Sequence, residues 1–135
     1  MTVTRRYSSP RLATSSQQFT LTSDPQLVST GAGTGTAKTF TITPNQLISN
    51  TYIVEKLIVS YECTGTTGAD TTNIEVNGIN SETRKLDASP QYWTYEFITP
   101  VTDISNSIVI KIETTSSSAA NTRDARVDAI ATVIV

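Results

Sequence analysis

Apolar side chains recur at every second position along much of this chain. Phe19 and Leu21 alternate with polar neighbours in QQFTLT, Phe40 and Ile42 in KTFTIT, and Ile108, Ile110 and Ile112 in IVIKIET. Successive side chains of a strand point to opposite faces, so this rhythm buries one face and wets the other. A helix needs apolar spacings of three and four; a short amphipathic helix is the rival reading only at 52–63, where β-branched and aromatic content argues against it. Residue choice agrees: the chain holds 25 Thr, 13 Ile and 10 Val. β-branched side chains lose rotamer freedom in helices and pack well on a pleated surface. The rhythm therefore predicts an all-β fold and excludes a coiled coil, a helical bundle and a membrane-spanning helix.

Turn signals divide the strands. Ser23-Asp24-Pro25, the Gly-rich stretch GAGTGT at 31–36, Pro44-Asn45, TGTTGADT at 64–71 and TSSSAANTRD at 115–124 read as breaks and loops. YIVEKLIVSYEC at 52–63 carries large residues on both faces, with Ile53, Leu57, Val59 and Tyr61 on one and Tyr52, Val54 and Ile58 on the other. Such a strand is central and covered on both sides, or bulged near Glu55-Lys56. Asn77-Gly78 lies between two apolar-flanked runs. A type I′ turn requires positive φ at both central residues, so this pair predicts a tight hairpin joining strands at 72–76 and 79–86. QYWTYEFI at 91–98 turns Trp93, Tyr95 and Phe97 one way and Tyr92, Thr94, Glu96 and Ile98 the other. A last strand covers 126–135. About eight strands with no helix predict an antiparallel β-sandwich over 17–135, of the jelly-roll kind, following an extended arm at 1–16.

The chain has 135 residues, enough for one domain with its own core. Its net charge of −2 is unevenly spread. Residues 1–23 carry Arg5, Arg6 and Arg11 and no acid, while the remainder is acidic. The arm has few apolar handles, chiefly Tyr7 and Leu12, and cannot offset the entropy of ordering by itself. Arg5, Arg6, Tyr7, Arg11 and Leu12 are thus candidate contacts to a neighbouring subunit, set against a simply solvated tail. Three arginines are too few to argue for nucleic acid. Residues 1–30 lack the apolar run, roughly 7–15 residues long, of a secretory signal, so synthesis in a cytoplasm is expected.

Chemistry-bearing residues are sparse. There is no His, which removes the usual general base and the commonest metal ligand. One cysteine, Cys63, ends an apolar run and reads as a small buried hydrophobe. Neither Gly-x-Ser-x-Gly nor Ser-x-x-Lys occurs, and no Gly-Lys-Ser/Thr follows the glycines at 31–36. Glu55, Glu62, Glu75, Glu96 and Glu113 are candidate paired carboxylates, but each falls at an outward or strand-edge position. Asp70, Asp124 and Asp128 are candidate Ca²⁺ ligands without EF-hand spacing, and Asp124 and Asp128 have Arg123 and Arg126 as rival partners. No catalytic residue, cofactor or metal site is expected. Tyr92 is the better candidate for an exposed aromatic platform under a sugar ring, since its neighbours Trp93, Tyr95 and Phe97 alternate into the core.

Two resemblances follow from these residues. The run YWTYEF, SIVIKIE, a polar loop and RVDAIATVIV resembles the closing strands of galactose-binding-like and carbohydrate-binding-module sandwiches, with Asp128-Ala129-Ile130 in the closing strand. That resemblance covers a third of the chain and implies glycan binding. The arm-plus-sandwich layout and the Thr/Ser-rich, His-free composition resemble jelly-roll structural proteins of virus particles, such as capsid, decoration, collar and fibre subunits. This second resemblance implies a non-catalytic virion subunit whose partners are copies of itself and other virion proteins. Deleting 1–16 is then expected to leave a folded monomer that fails to assemble.

Overall fold

The computed structural model describes residues 14–67, 69–99 and 106–134. Nine strands and one short helix occur among them: β1 (Thr14–Asp24), β2 (Val28–Thr30), β3 (Gly33–Ile42), α1 (Pro44–Leu47), β4 (Tyr52–Thr64), β5 (Thr71–Val76), β6 (Ile79–Lys85), β7 (Gln91–Ile98), β8 (Ile108–Ser116) and β9 (Ala120–Ile134). They form two antiparallel sheets. One has the order β1-β9-β4-β7, with β2 also on β9, and the other has the order β3-β8-β5-β6. With β2 set aside, the first strand pairs with the last, the second with the second-last, the third with the third-last, and the middle two with each other. That is a hairpin of four strand pairs rolled up on itself, a jelly-roll arrangement; the strand rhythm pointed to the sandwich and left this strand order open.

The inner faces build one core. Val54, Leu57, Val59, Tyr61 and Cys63 of β4 meet Val127, Ala129 and Ala131 of β9 within the first sheet, and Phe40, Ile42, Ile74, Ile108, Ile110 and Ile112 line the second. Ala129 and Ala131 of β9 are small where this central strand is flanked by larger side chains on β4 and β1. Burying each large aliphatic contributes about 1.5–3 kcal/mol relative to leaving it in water.

Two details of β4 follow from the expected bulge. Its register to β9 slips between Val54 and Lys56, leaving Glu55 as the extra residue. The insertion turns Val54 to the same face as Leu57, so Val54 enters the core and the sequence-based division of faces is corrected at that point. A second slip, between Ser60 and Glu62, faces Asp124 on β9, whose φ is 53°.

The Asn77-Gly78 hairpin forms as expected, with φ of 52° and 83° at its two central residues. Other boundaries move. Gly33–Thr36, read as loop, belong to β3 and pair with Glu113–Ser116. Residues 120–124, also read as loop, begin β9. The three-residue β2 and the helix α1 were not expected; Pro44 at the first helical position and the reciprocal Thr43/Gln46 capping box account for α1. Strand pairing begins at Thr14, inside the segment read as arm, where Thr14 sits opposite Ile134. Among the described residues no helix is long and apolar enough to cross a membrane.

Candidate functional site

The two open sides of the sandwich are closed differently. On one side β1 and β2 approach β3. Lys38, almost wholly buried, sends its ammonium to Asp24 at 2.9 Å and to the carbonyl of Gln26. The Lys38 hydrogen bond holds the Asp24 carboxyl below its ordinary range. On the other side β6 approaches β7. There Arg84 pairs with Glu82, lies 5.0 Å over the Trp93 ring, and donates to the carbonyl of Thr94 at 3.3 Å. Tyr61, Thr72 and Ile74 back this cluster. Trp93 Nε1 is buried without a hydrogen-bond partner among the described residues. Tyr95 stacks on Phe97 with centroids 5.8 Å apart.

Large apolar groups are left outside along this β6/β7 side. Ile98 is 77% exposed, Ile79 69% and Tyr92 53%. Ile79 and Ile98 share a hollow of about 300 Å³ with Val76, Phe97 and Ile108. At the opposite end of β7, Tyr92 borders a second hollow of about 280 Å³ with Ser23, Pro25, Asp124 and Arg126. The alternation in QYWTYEFI thus places Tyr92 in solvent and Trp93, Tyr95 and Phe97 against the core, as expected.

The outer face of the four-stranded sheet is lined with hydroxyls. Cross-strand rows run Thr34–Thr115–Thr71 and Thr36–Glu113–Asn73–Thr83. Thr34 and Thr115 hydroxyls lie 2.9 Å apart, and Asn73 donates to Glu113 at 3.3 Å.

Asp70 has a different role from metal binding. Its carboxylate accepts hydrogen bonds from the Thr66 amide and hydroxyl (2.6 and 2.8 Å), the Ser116 hydroxyl (3.0 Å) and the Ser117 amide (3.1 Å). These bonds, the Thr66 amide foremost, hold its pKa well below the ordinary carboxylate range despite burial. Asp70 thereby ties the β4–β5 loop to the β8–β9 turn. Gly65 is squeezed beside it: a Cβ there would lie 2.9 Å from both an Asp70 oxygen and Leu86.

The remaining candidate acids are dispersed. Asp128 accepts from Gln18 and Thr20 and pairs with Arg126 at 3.4 Å, and Asp124 lies 3.9 Å from Arg123. Glu62 pairs with Arg123, Glu96 with Lys56, and Glu55 accepts from Thr132. Among the described residues no three metal-ligating side chains gather. Cys63 is buried with its sulfur 3.4 Å from the Thr122 hydroxyl, and burial pushes the thiol pKa up. The arm residues Arg5, Arg6, Tyr7, Arg11 and Leu12 lie outside the described residues. Sequence reasoning missed Lys38 and Arg84, and it named Asp70 as a candidate ligand without its role of tying two loops together. Their partners, apart from Glu82 and the near loop of Asp70, are distant in sequence.

Comparison with known proteins yields fold-level likeness only. No family model and no curated protein matches the chain. A solved CBM4 structure shares 14% identity, with a TM-score of 0.46, over 67% of this chain and 86% of the other. The T13 particle of infectious bursal disease virus shares 15% identity with a TM-score of 0.39, over 91% of this chain and 36% of the other. A family two carbohydrate esterase from Cellvibrio japonicus shares 16% with a TM-score of 0.32, over 90% of this chain and 35% of the other. The chain thus spans about a third of the virus and esterase chains it matches. What is established is the architecture, an antiparallel β-sandwich with jelly-roll strand order.

Proposed function

We propose that this chain is a non-catalytic structural subunit of a virus particle, working by contacts between copies of itself and with other virion proteins. The observation that carries this reading is the exposed apolar pair Ile79 and Ile98, which share one hollow on the β6/β7 side. Contiguous apolar groups flanking a recess mark a surface meant to be covered. Weak contacts of this kind add up when symmetry repeats them. The uneven charge supports the same reading, because a basic 1–13 segment complements an acidic body. In this reading the chain is made in a host cytoplasm and ends in the virion.

The test compares the full chain with one lacking 1–13, a boundary that keeps β1 whole. Light scattering and electron microscopy should show large assemblies for the full chain and none for the shortened one, with unchanged circular dichroism. Equal assembly by both would remove the arm from the account.

Exposed Tyr92 beside its hollow favours a second reading, a glycan-binding module in which the ring stacks on a sugar face. Under it, a glycan array gives specific hits that Tyr92→Ala weakens about tenfold, roughly the loss of 1.4 kcal/mol. An array without hits removes it.

A further inference from the structure

Each sheet has two edge strands, and three of these four edges are blunted. β1 carries an extra residue between Thr20 and Thr22, β3 one between Thr36 and Lys38, and β6 one at Ser81, between the partners of Ile74 and Glu75. The auxiliary edge β2 is three residues long. Bulges and short edges keep a sheet from recruiting another strand. β7 has neither device. It pairs with β4 through eight consecutive positions without a slip, contains no Pro and no Lys, and bears a single charge, Glu96. Among the described residues no strand lies on its other side.

Which residues of β7 face outward is fixed by two hydrogen bonds. The Thr99 amide donates inward to Glu55 of the β4 side at 3.1 Å. The Thr94 carbonyl is reached from outside, by Arg84. Backbone groups alternate along a strand, so Tyr92, Thr94, Glu96 and Ile98 turn their N–H and C=O groups to the open edge. Their side chains are also the solvent-facing set.

We infer that β7 is a self-complementary edge that pairs antiparallel with β7 of a second copy about a two-fold axis at Tyr95. The inference rests on the assembly reading above and names its first contact. Antiparallel partners share a face, so even-numbered residues must lie opposite even-numbered ones. With Tyr95 on the axis, Tyr92 lies opposite Ile98 of the second copy and Thr94 opposite Glu96. All four outward-turned residues then find partners. Shifting the axis to Thr94 or Glu96 leaves one of them beyond the partner strand. The exposed Ile98 meets the exposed Tyr92, an aliphatic–aromatic cross-strand pair. Glu96 meets a neutral Thr94, so no like charges oppose. Arg84 uses one lone pair of the Thr94 carbonyl and leaves the other for the incoming amide. The two larger sheets become one continuous sheet, β1-β9-β4-β7 followed by its two-fold copy.

Sedimentation velocity on the full chain over a wide concentration range tests this. Thr94→Pro removes an outward amide and spares the β4 ladder; Ile98→Lys charges the exposed apolar end without touching the backbone. Both should stay folded by circular dichroism and weaken dimerisation at least about tenfold. Tyr95→Cys should oxidise to a covalent dimer, because the two sulfurs meet on the axis. Thr94→Cys should not, because the Cα atoms of residue 94 then lie diagonally, roughly 7–8 Å apart, beyond disulfide reach. An oligomer indifferent to Thr94→Pro and Ile98→Lys overturns the β7 contact while leaving assembly intact. An oligomer lost only on deletion of 1–13 assigns the contact to the arm and overturns it too. A chain monomeric at every concentration overturns both this contact and the assembly reading.

Discussion

Both oxygens of Asp70 accept hydrogen bonds from donors on two loops. Hydrogen bonds to the ionised form lower its pKa, so the folded state binds this proton less readily than the unfolded chain. The resulting stability is fully present above about pH 4 and is lost as pH falls through the lower folded value. Asp70→Asn should therefore lower the urea midpoint at pH 7 and flatten its decline below about pH 4. Urea titrations from neutral to acid pH check this; parallel wild-type and variant curves would contradict it. The acid itself was visible in TGTTGAD, but its burial was not. Thr66 is four residues away, whereas Ser116 and Ser117 arrive from the far end of β8. By contrast, the exposure of Tyr92 and the inward turn of Trp93 were legible, because alternation alone assigns them to opposite faces.

At the scale of the strand, Lys38 explains why a Thr-rich edge can carry a buried cation. The bulge at Ala37 turns Lys38 from the outer face to the inner, where Asp24 and the Gln26 carbonyl receive it. Removing one partner of a buried charge costs more than replacing the charge by an apolar side chain of similar shape. Asp24→Ala should accordingly destabilise by about 1–3 kcal/mol, while Lys38→Met should cost less. Chemical denaturation of the two variants separates them, and a larger loss for Lys38→Met would refute the argument. Strand periodicity found β7 and β8 nearly to the residue, and Asn77-Gly78 found the hairpin. It failed at Gly33–Thr36, where glycine's weak strand preference is overridden by pairing with β8. The edge bulge at Ala37 has no signature in KTFTIT; alternation there puts Lys38 on the face of Phe40 and Ile42, but nothing in the run shows the Asp24 partner that receives it.

For the whole molecule, the decisive strand is the last one described. β9 sits between β1 and β4 and also holds β2, so the larger sheet has no centre until residues 120–134 are in place. Its partners are separated from it by much of the chain, and such non-local pairing makes all-β domains slow folders, in the range of about milliseconds to seconds. The sandwich was legible from strand count and rhythm. Its strand order was not, because rhythm records which face is buried and nothing about neighbours. The register Thr14↔Ile134 brings the beginning and end of the described sheet to a single corner. A linker of a few residues can bridge that gap, so a circular permutant joined there and opened at 117–119 should keep every strand pair. Its dispersed amide NMR spectrum would match that of the parent, and in the unpermuted sandwich cargo attached ahead of Thr14 or behind Ile134 would emerge from one vertex.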